Sequence, residues 1–482
     1  MPSSHRTIAT LPGPRGLPLL GSALQLHPRT IHRTMEAWSH RYGPMFRVRL
    51  GSREAVVLAD AEAIGAVLRD RPDGFSRPVV TADVTRELGG LPGLTLAEGD
   101  DWRRQRRMAM QAFAPGFVKA YLPRLAQVGV RLAARWQGAA AAGQPVALSA
   151  DLKRYAVDVV AGLAFGADID TVNAGTHDLQ DHIDTVLAGV ARRSLAPLPY
   201  WRWLPLPAER RLVASVAALQ AAIDGFVASG RAAMAADPAL RSHPANLLQA
   251  LIAAADEPGS GLGDAEVAGN VATMLMAGED TTASALSWLA WLLAHHPDAL
   301  RRARDEVRAT VPDLALITPA QADALDYVEA CALEAMRLKP PAPFIPLQAL
   351  RPTVVRGVAL PAGTLLWCVL RHASVDEALL ANAAQFRPER WLPGGDATTP
   401  AARQAVLPFG AGARTCPGRY LALLEMKVAL VALLGQFELD SVTAAGGADP
   451  AEVLGFVMAP TPLRMTLRPR AAGPGAGRLN AA

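Results

Sequence analysis

Apolar positions keep a helical spacing through most of the middle of this chain and fall into short runs nearer its ends. The first element predicted is a helix near residues 30–42, followed by two short strands, MFRVRLG and EAVVLAD. From about Trp102 to Glu334 the pattern is mostly helical and rich in alanine, a strong helix former. The stretch LAPLPYWRWLPLPAERR interrupts it as a proline- and tryptophan-rich connector. DEPGSGLGD is a loop before a long apolar helix that starts near Asp264. From Lys339 the texture changes. KPPAPFIP excludes a helix, VVRGVALPAGTLLWCVL reads as short strands around a turn, and QFRPERW is a loop. A Gly-rich segment, FGAGARTCPGRY, then feeds an apolar helix, LALLEMKVALVALLGQFEL. The expected fold is mostly α with a small β-rich lobe, in one domain over residues 11–470. The helical lobe covers roughly 102–338 and the β-containing parts roughly 43–60 and 340–375. The tail 471–482, AAGPGAGRLNAA, is expected to be disordered.

Composition narrows the class. Of 482 residues, 51% are hydrophobic and 19% charged, the balance of a globular protein with a large core. The net charge of +4 is small for this length, and no basic run is interleaved with aromatics, so nucleic acid is not an expected partner. Pro12, Pro14 and Pro18 break up the N-terminal segment, which reads as an extended lead-in rather than a signal peptide or anchor. Glu425 and Lys427 mark the most apolar later segment as a core helix, so no transmembrane anchor is expected. Three cysteines without a CxxC pair argue against a zinc site or a disulfide framework, and suit a reducing cytoplasm. Cys331 and Cys368 lie in apolar segments and read as small buried hydrophobes.

The third cysteine differs. In Phe409-Gly-Ala-Gly412-Ala-Arg414-Thr-Cys416-Pro417-Gly418, glycines allow close backbone approach, and Cys416 precedes a helix start whose dipole and free N–H groups favour a thiolate. Pro417 suits a first helical turn. Within the long helix, Ala277-Gly278-Glu279-Asp280-Thr281-Thr282 places a helix-weakening glycine beside an acid and an alcohol. The Thr281 hydroxyl can compete for the Ala277 carbonyl four residues back, which would widen the groove there. Glu334 and Arg337 share a helix face, as do Trp102 and Arg106.

The cysteine segment resembles the signature loop of the cytochrome P-450 family at every fixed position, and the resemblance extends from about Leu11 to Arg470. It implies a triangular-prism fold and a haem-thiolate monooxygenase. Heme b (iron protoporphyrin IX) would have Cys416 as its metal ligand, and Phe409, Arg414, Gly418, Ala277, Trp102 and Arg106 would be its further contacts. Of these, Trp102, Arg106 and Arg414 would meet the propionates. Asp280 and Thr281 would be the catalytic proton-handling pair. Glu334, Arg337 and Arg390 resemble the family's Glu-Arg-Arg network, which braces the cysteine loop. The implied reaction inserts one atom of dioxygen into an apolar small molecule. Electrons would come from a separate ferredoxin or flavodoxin-like donor, met by Arg103, Arg104, Arg107 and Arg419.

The chain also departs from the family. Leu347 and Gln348 occupy a stretch where many relatives carry a propionate-binding arginine, and Ser374-Val-Asp-Glu replaces a more usual His-Arg-Asp-Pro. Related fatty-acid hydroxylases would place Arg53 at the channel mouth. Substrate selection is expected from residues 75–96, the 196–207 connector and the turn Phe456-Val457-Met458. Two alternatives stand beside monooxygenation: a peroxide-using haem-thiolate enzyme, and a non-enzymatic haem or gas sensor.

Overall fold

Long alanine- and leucine-rich runs form the helices, and glycine or proline marks many of their ends. In the computed structural model, which describes residues 5–51, 53–90, 93–174, 178–196, 198–204 and 206–470, the first predicted helix is Ile31–Tyr42. The tail predicted to be disordered, 471–482, lies outside the described residues. Pro115 opens a helix that runs to Ala141. The helix Leu148–Phe165 ends where Gly166 turns left-handed (φ 68°) and donates its N–H to the Gly162 carbonyl.

The central helix, Asp264–Ala294, starts as predicted, with the Gly263 N–H held by Glu266 at 2.9 Å. Its two halves serve different cores. Ala283–Leu293 packs with Pro115–Ala141, Leu148–Phe165 and the late helix Arg419–Gln436. Val267–Leu275 packs with Asp178–Leu195, Pro207–Ala236 and Leu247–Ala255. Between the two cores Met276, Ala277, Gly278, Thr281 and Thr282 face interior space.

A five-stranded sheet forms the β-rich part. Met45–Leu50 pairs antiparallel with Arg53–Leu58, which runs parallel to Leu365–Val369. Phe344–Ala349 follows antiparallel, and the short Phe75–Ser76 closes the edge. The lead-in is strapped down as expected, through Arg6–Thr7 beside Val358–Ala359.

Two expectations need correction. The late apolar helix ends at Gln436, and Phe437–Thr443 leaves it as a strand paired with Arg464–Pro469. Gly435-Gln436 breaks the apolar run, and Phe437-Glu438-Leu439-Asp440 alternates apolar and polar residues with the period of a strand. A further hairpin, Glu452–Leu454 with Met458–Pro460, also lies beyond the predicted β regions.

Among the described helices, Pro207–Ala236 is long and apolar enough to cross a membrane by length and composition. Its buried residues, Leu212, Leu219, Ile223, Val227 and Met234, form one stripe at helical spacing against the second core.

Candidate active site

The cysteine loop is held by its glycines. Gly410 and Gly412 have φ of 74° and 70°, and a Cβ on Gly412 would stand 2.7 Å from the Arg69 Cα. The loop therefore lies directly on the helix Ala61–Arg69, and the Cys416 N–H closes it on the Phe409 carbonyl at 2.9 Å. Cys416 opens onto a cavity of about 360 Å³. The exposure of Cys416 is to this interior space, and protein still surrounds the thiol.

The expected helix-start effect is outweighed. The helix begins only at Arg419. A hydrogen bond from the Gly418 N–H, with Arg106 and Arg419 nearby, favours the thiolate, but burial is the larger influence and raises the thiol pKa. Cys331 and Cys368 are buried as predicted, and burial pushes both thiols up, Cys368 to about 12.

The central helix supplies another wall. Ala277, Gly278 and Thr281 line the same cavity as Cys416, Phe409 and Gly418. The Thr281 hydroxyl donates to the Ala277 carbonyl at 2.7 Å, as its spacing suggested. The helix is nevertheless continuous here. Gly278 serves close packing rather than loosening: a Cβ there would meet Val160 Cγ2 at 2.5 Å. Asp280 does not line the cavity. It faces Lys153, whose Nζ lies 2.9 Å from Asp280 and 2.7 Å from Asp184. The sequence showed the acid–alcohol pair but not this lysine.

A third wall is cationic. Trp102 and Arg106 line it from the helix Gly99–Ala112, and Arg414 lies over the Trp102 ring at 4.5 Å. Arg71 and Arg77 join them from either side of the short strand Phe75–Ser76. Glu98 pairs with Arg414 and accepts from the Arg77 N–H at 3.2 Å. The Nε atoms of buried Arg71 and Arg414 have no partner. Desolvation and mutual repulsion draw both guanidinium pKa values down to about 10, so both stay charged at neutral pH. Four guanidinia facing one carboxylate call for anions, and a haem brings two propionates. The residues therefore fit that group.

Sequence reasoning missed Arg71 and Arg77, which lie far from the cysteine loop along the chain. At the departure from the family pattern, Leu347 is core and the Gln348 Oε1 accepts from the Val79 N–H at 3.1 Å. Glu425, read as part of a core helix, also lines the cavity, where burial raises its pKa well above the carboxylate range.

Behind the loop, Glu334, Arg337 and Arg390 meet with fully buried side chains. The Arg337 Nη2 and Arg390 Nε donate to Glu334 Oε1 at 2.8 and 2.9 Å. Ser374, one of the departures, belongs to this network: its carbonyl accepts from Arg337 Nη1 at 2.9 Å. The basic face proposed from sequence is thinner than expected. Arg103 is bound by Asp73 and Asp100, and Arg104 by Asp101, so the two remaining arginines of the four are Arg107 and Arg419.

A second cavity of about 150 Å³ shares Arg77, Thr95, Thr273 and Ala277 with the first. The 75–96 segment and Phe456 line it as expected, together with Val186 and Leu219 of the flanking helices. None of the described residues of the 196–207 connector lines either cavity, and neither does Arg53, which is exposed at the start of its strand.

Comparison with known proteins agrees with this geometry. A family model described as cytochrome P-450 matches residues 11–467. The chain is 30% identical to a cyclooctat-9-en-7-ol 5-monooxygenase of Streptomyces melanosporofaciens over 92% of its length and 91% of that protein. It is 31% identical to a pentalenene oxygenase of Streptomyces avermitilis, covering 98% and 100%. It is also 28% identical to a steroid 21-hydroxylase of Sus scrofa, covering 95% and 93%. With a match along nearly its whole length, on a mostly helical frame with small sheets, the chain belongs to the cytochrome P-450 family and is a haem-thiolate monooxygenase.

Proposed function

We propose that this protein is a cytoplasmic, single-domain monooxygenase that oxidises a compact apolar skeleton by hydroxylation or epoxidation. Electrons come from a separate ferredoxin or flavodoxin-like donor. The observation that carries the reading is the meeting in one cavity of Cys416, Thr281 and a cluster of guanidinia that outnumber their one carboxylate, Glu98. Cys416 is the proposed iron ligand of heme b, packed by Phe409, Gly418 and Ala277. Arg71, Arg77, Arg106, Arg414 and Trp102 are the proposed propionate contacts. Bound in this way, the cofactor supplies dioxygen activation, with the thiolate's electron donation favouring O–O cleavage. The side chains do the rest. The apolar walls orient the substrate and exclude water, and Thr281 and Asp280 move protons toward the cavity. The substrate class follows from those walls and from relatives named for an alkene, an alkenol and a steroid.

The test uses a substrate found by screening ligands for a shift in haem absorbance. Thr281→Ala should still consume reductant and dioxygen, but release much more hydrogen peroxide per product. Asp280→Asn should instead slow product formation by about 10²-fold, the usual scale of a lost general acid. An unchanged ratio of product to reductant in Thr281→Ala would remove the hydroxyl from the proton path and favour the peroxide-using alternative.

The cationic wall gives a separate expectation. Arg71→Leu or Arg77→Leu should each speed haem loss by about tenfold or more, because a hydrogen bond to a charged group contributes about 1.5–3 kcal/mol. Transfer of haem to an apo-globin acceptor measures this. An unchanged rate would exclude that arginine from the propionate site.

A further inference from the structure

Beside the proton-handling pair lies a group that this role does not use. Glu279 is buried, at 1% exposure, and neither of its oxygens has a hydrogen-bond partner. One oxygen each of Asp184, Glu279 and Asp280 lie within 4.8 Å of one another. The charged groups facing Glu279 are Asp280 on its own helix, Lys153 on Leu148–Phe165, and Asp184 on Asp178–Leu195; Gln180 is the neutral polar neighbour. Lys153 already sits between Asp184 and Asp280, in the place a cation would take.

Three carboxylates around one ammonium are over-supplied with negative charge. The two with access to Lys153 are the two that are partly exposed. The third is buried, and there the charged form is the costly one. Burial, reinforced by the Asp280 charge, raises the Glu279 pKa to about 8.

We propose that Glu279 carries a proton in the resting enzyme and passes it to the charged Asp280 carboxylate, which then gives it on toward Thr281. The proton leaves the Glu279 carboxyl and arrives on Asp280, across a gap of the kind a single water bridges. Glu279 is then re-protonated from solvent on the side of Asp184 and Lys153, whose side chains are 44% and 31% exposed. Glu279 lines neither cavity, so it is a positioning residue that acts through Asp280. The inference rests on the proton role proposed for Asp280 and Thr281.

The experiment is a pH profile of product formation in haem-loaded enzyme, comparing wild type, E279Q and Glu279→Asp. Wild-type turnover should fall as pH rises through about 8, where Glu279 loses its proton. E279Q should be about tenfold slower at neutral pH, with unchanged KM and without that alkaline limb; a general acid is worth at least this much. Glu279→Asp should restore the limb. A wild-type rate and limb in E279Q would overturn the proposal while leaving the Thr281 result untouched. An unchanged coupling ratio in Thr281→Ala would instead remove the path on which the proposal rests. Should E279Q not fold, infrared spectroscopy of the wild type decides. One buried carboxylic-acid band, distinct from that of Glu425, should vanish as pH rises through about 8, and the loss of no such band over that range would overturn the proposal.

Discussion

Cys416→His is expected to fold and to bind haem, yet to form no detectable product with any substrate of the wild type. The loop around residue 416 is shaped by Gly410, Gly412 and the bond from its own backbone N–H to Phe409, none of which needs the sulfur. The imidazole can reach the same cavity, and the cationic wall proposed to meet the propionates is unchanged. What is lost is the thiolate's electron donation, which sets this ligation apart from a histidine site. Haem content measured beside product formation separates the two effects. Product at a substantial fraction of the wild-type rate would show that the sulfur is not the ligand.

Glu334→Ala should cost about 3–5 kcal/mol of stability, the scale for removing one partner of a buried ion pair. Glu334 accepts from Arg337 Nε and Nη2, Arg390 Nε, the Arg387 N–H and Trp391 Nε1. Its loss leaves Arg337 with carbonyl partners alone and Arg390 with Asp396 as its remaining carboxylate, at 2.9 Å. Against a typical total of about 5–15 kcal/mol, this is enough to leave much of the protein unfolded or without haem. The urea midpoint of the haem-loaded protein measures it. A loss below about 1 kcal/mol, the range of exposed pairs, would mean that the network does not brace the fold.

What could be read in the sequence was whatever the chemistry confines to a short span. The turn geometry of Gly410 and Gly412, the i, i+4 reach of Thr281 to Ala277, and the i, i+3 pair Glu334–Arg337 are all local, and each appears in the structure. The partners of those groups were not legible. Arg71 and Arg77 reach the cysteine loop only through the fold, and the same holds for Lys153 beside Asp280. Asp100 and Asp101, three residues before Arg103 and Arg104, could have warned that those cations are already matched. The end of the late helix at Gln436 could have been read, because Gly435-Gln436 breaks the apolar run and Phe437-Glu438-Leu439-Asp440 alternates apolar and polar residues as a strand does.

Cys416 is the proposed thiolate ligand of the haem iron. Burial raises the free thiol's pKa, but a coordinating metal deprotonates a thiol outright, so the two statements are compatible. The most direct measurement is the absorbance spectrum of the reduced, carbon-monoxide-bound wild-type protein near neutral pH. A thiolate-type spectrum is expected, and Cys416→His should replace it with a histidine-type one. A histidine-type spectrum from the wild type would contradict the account.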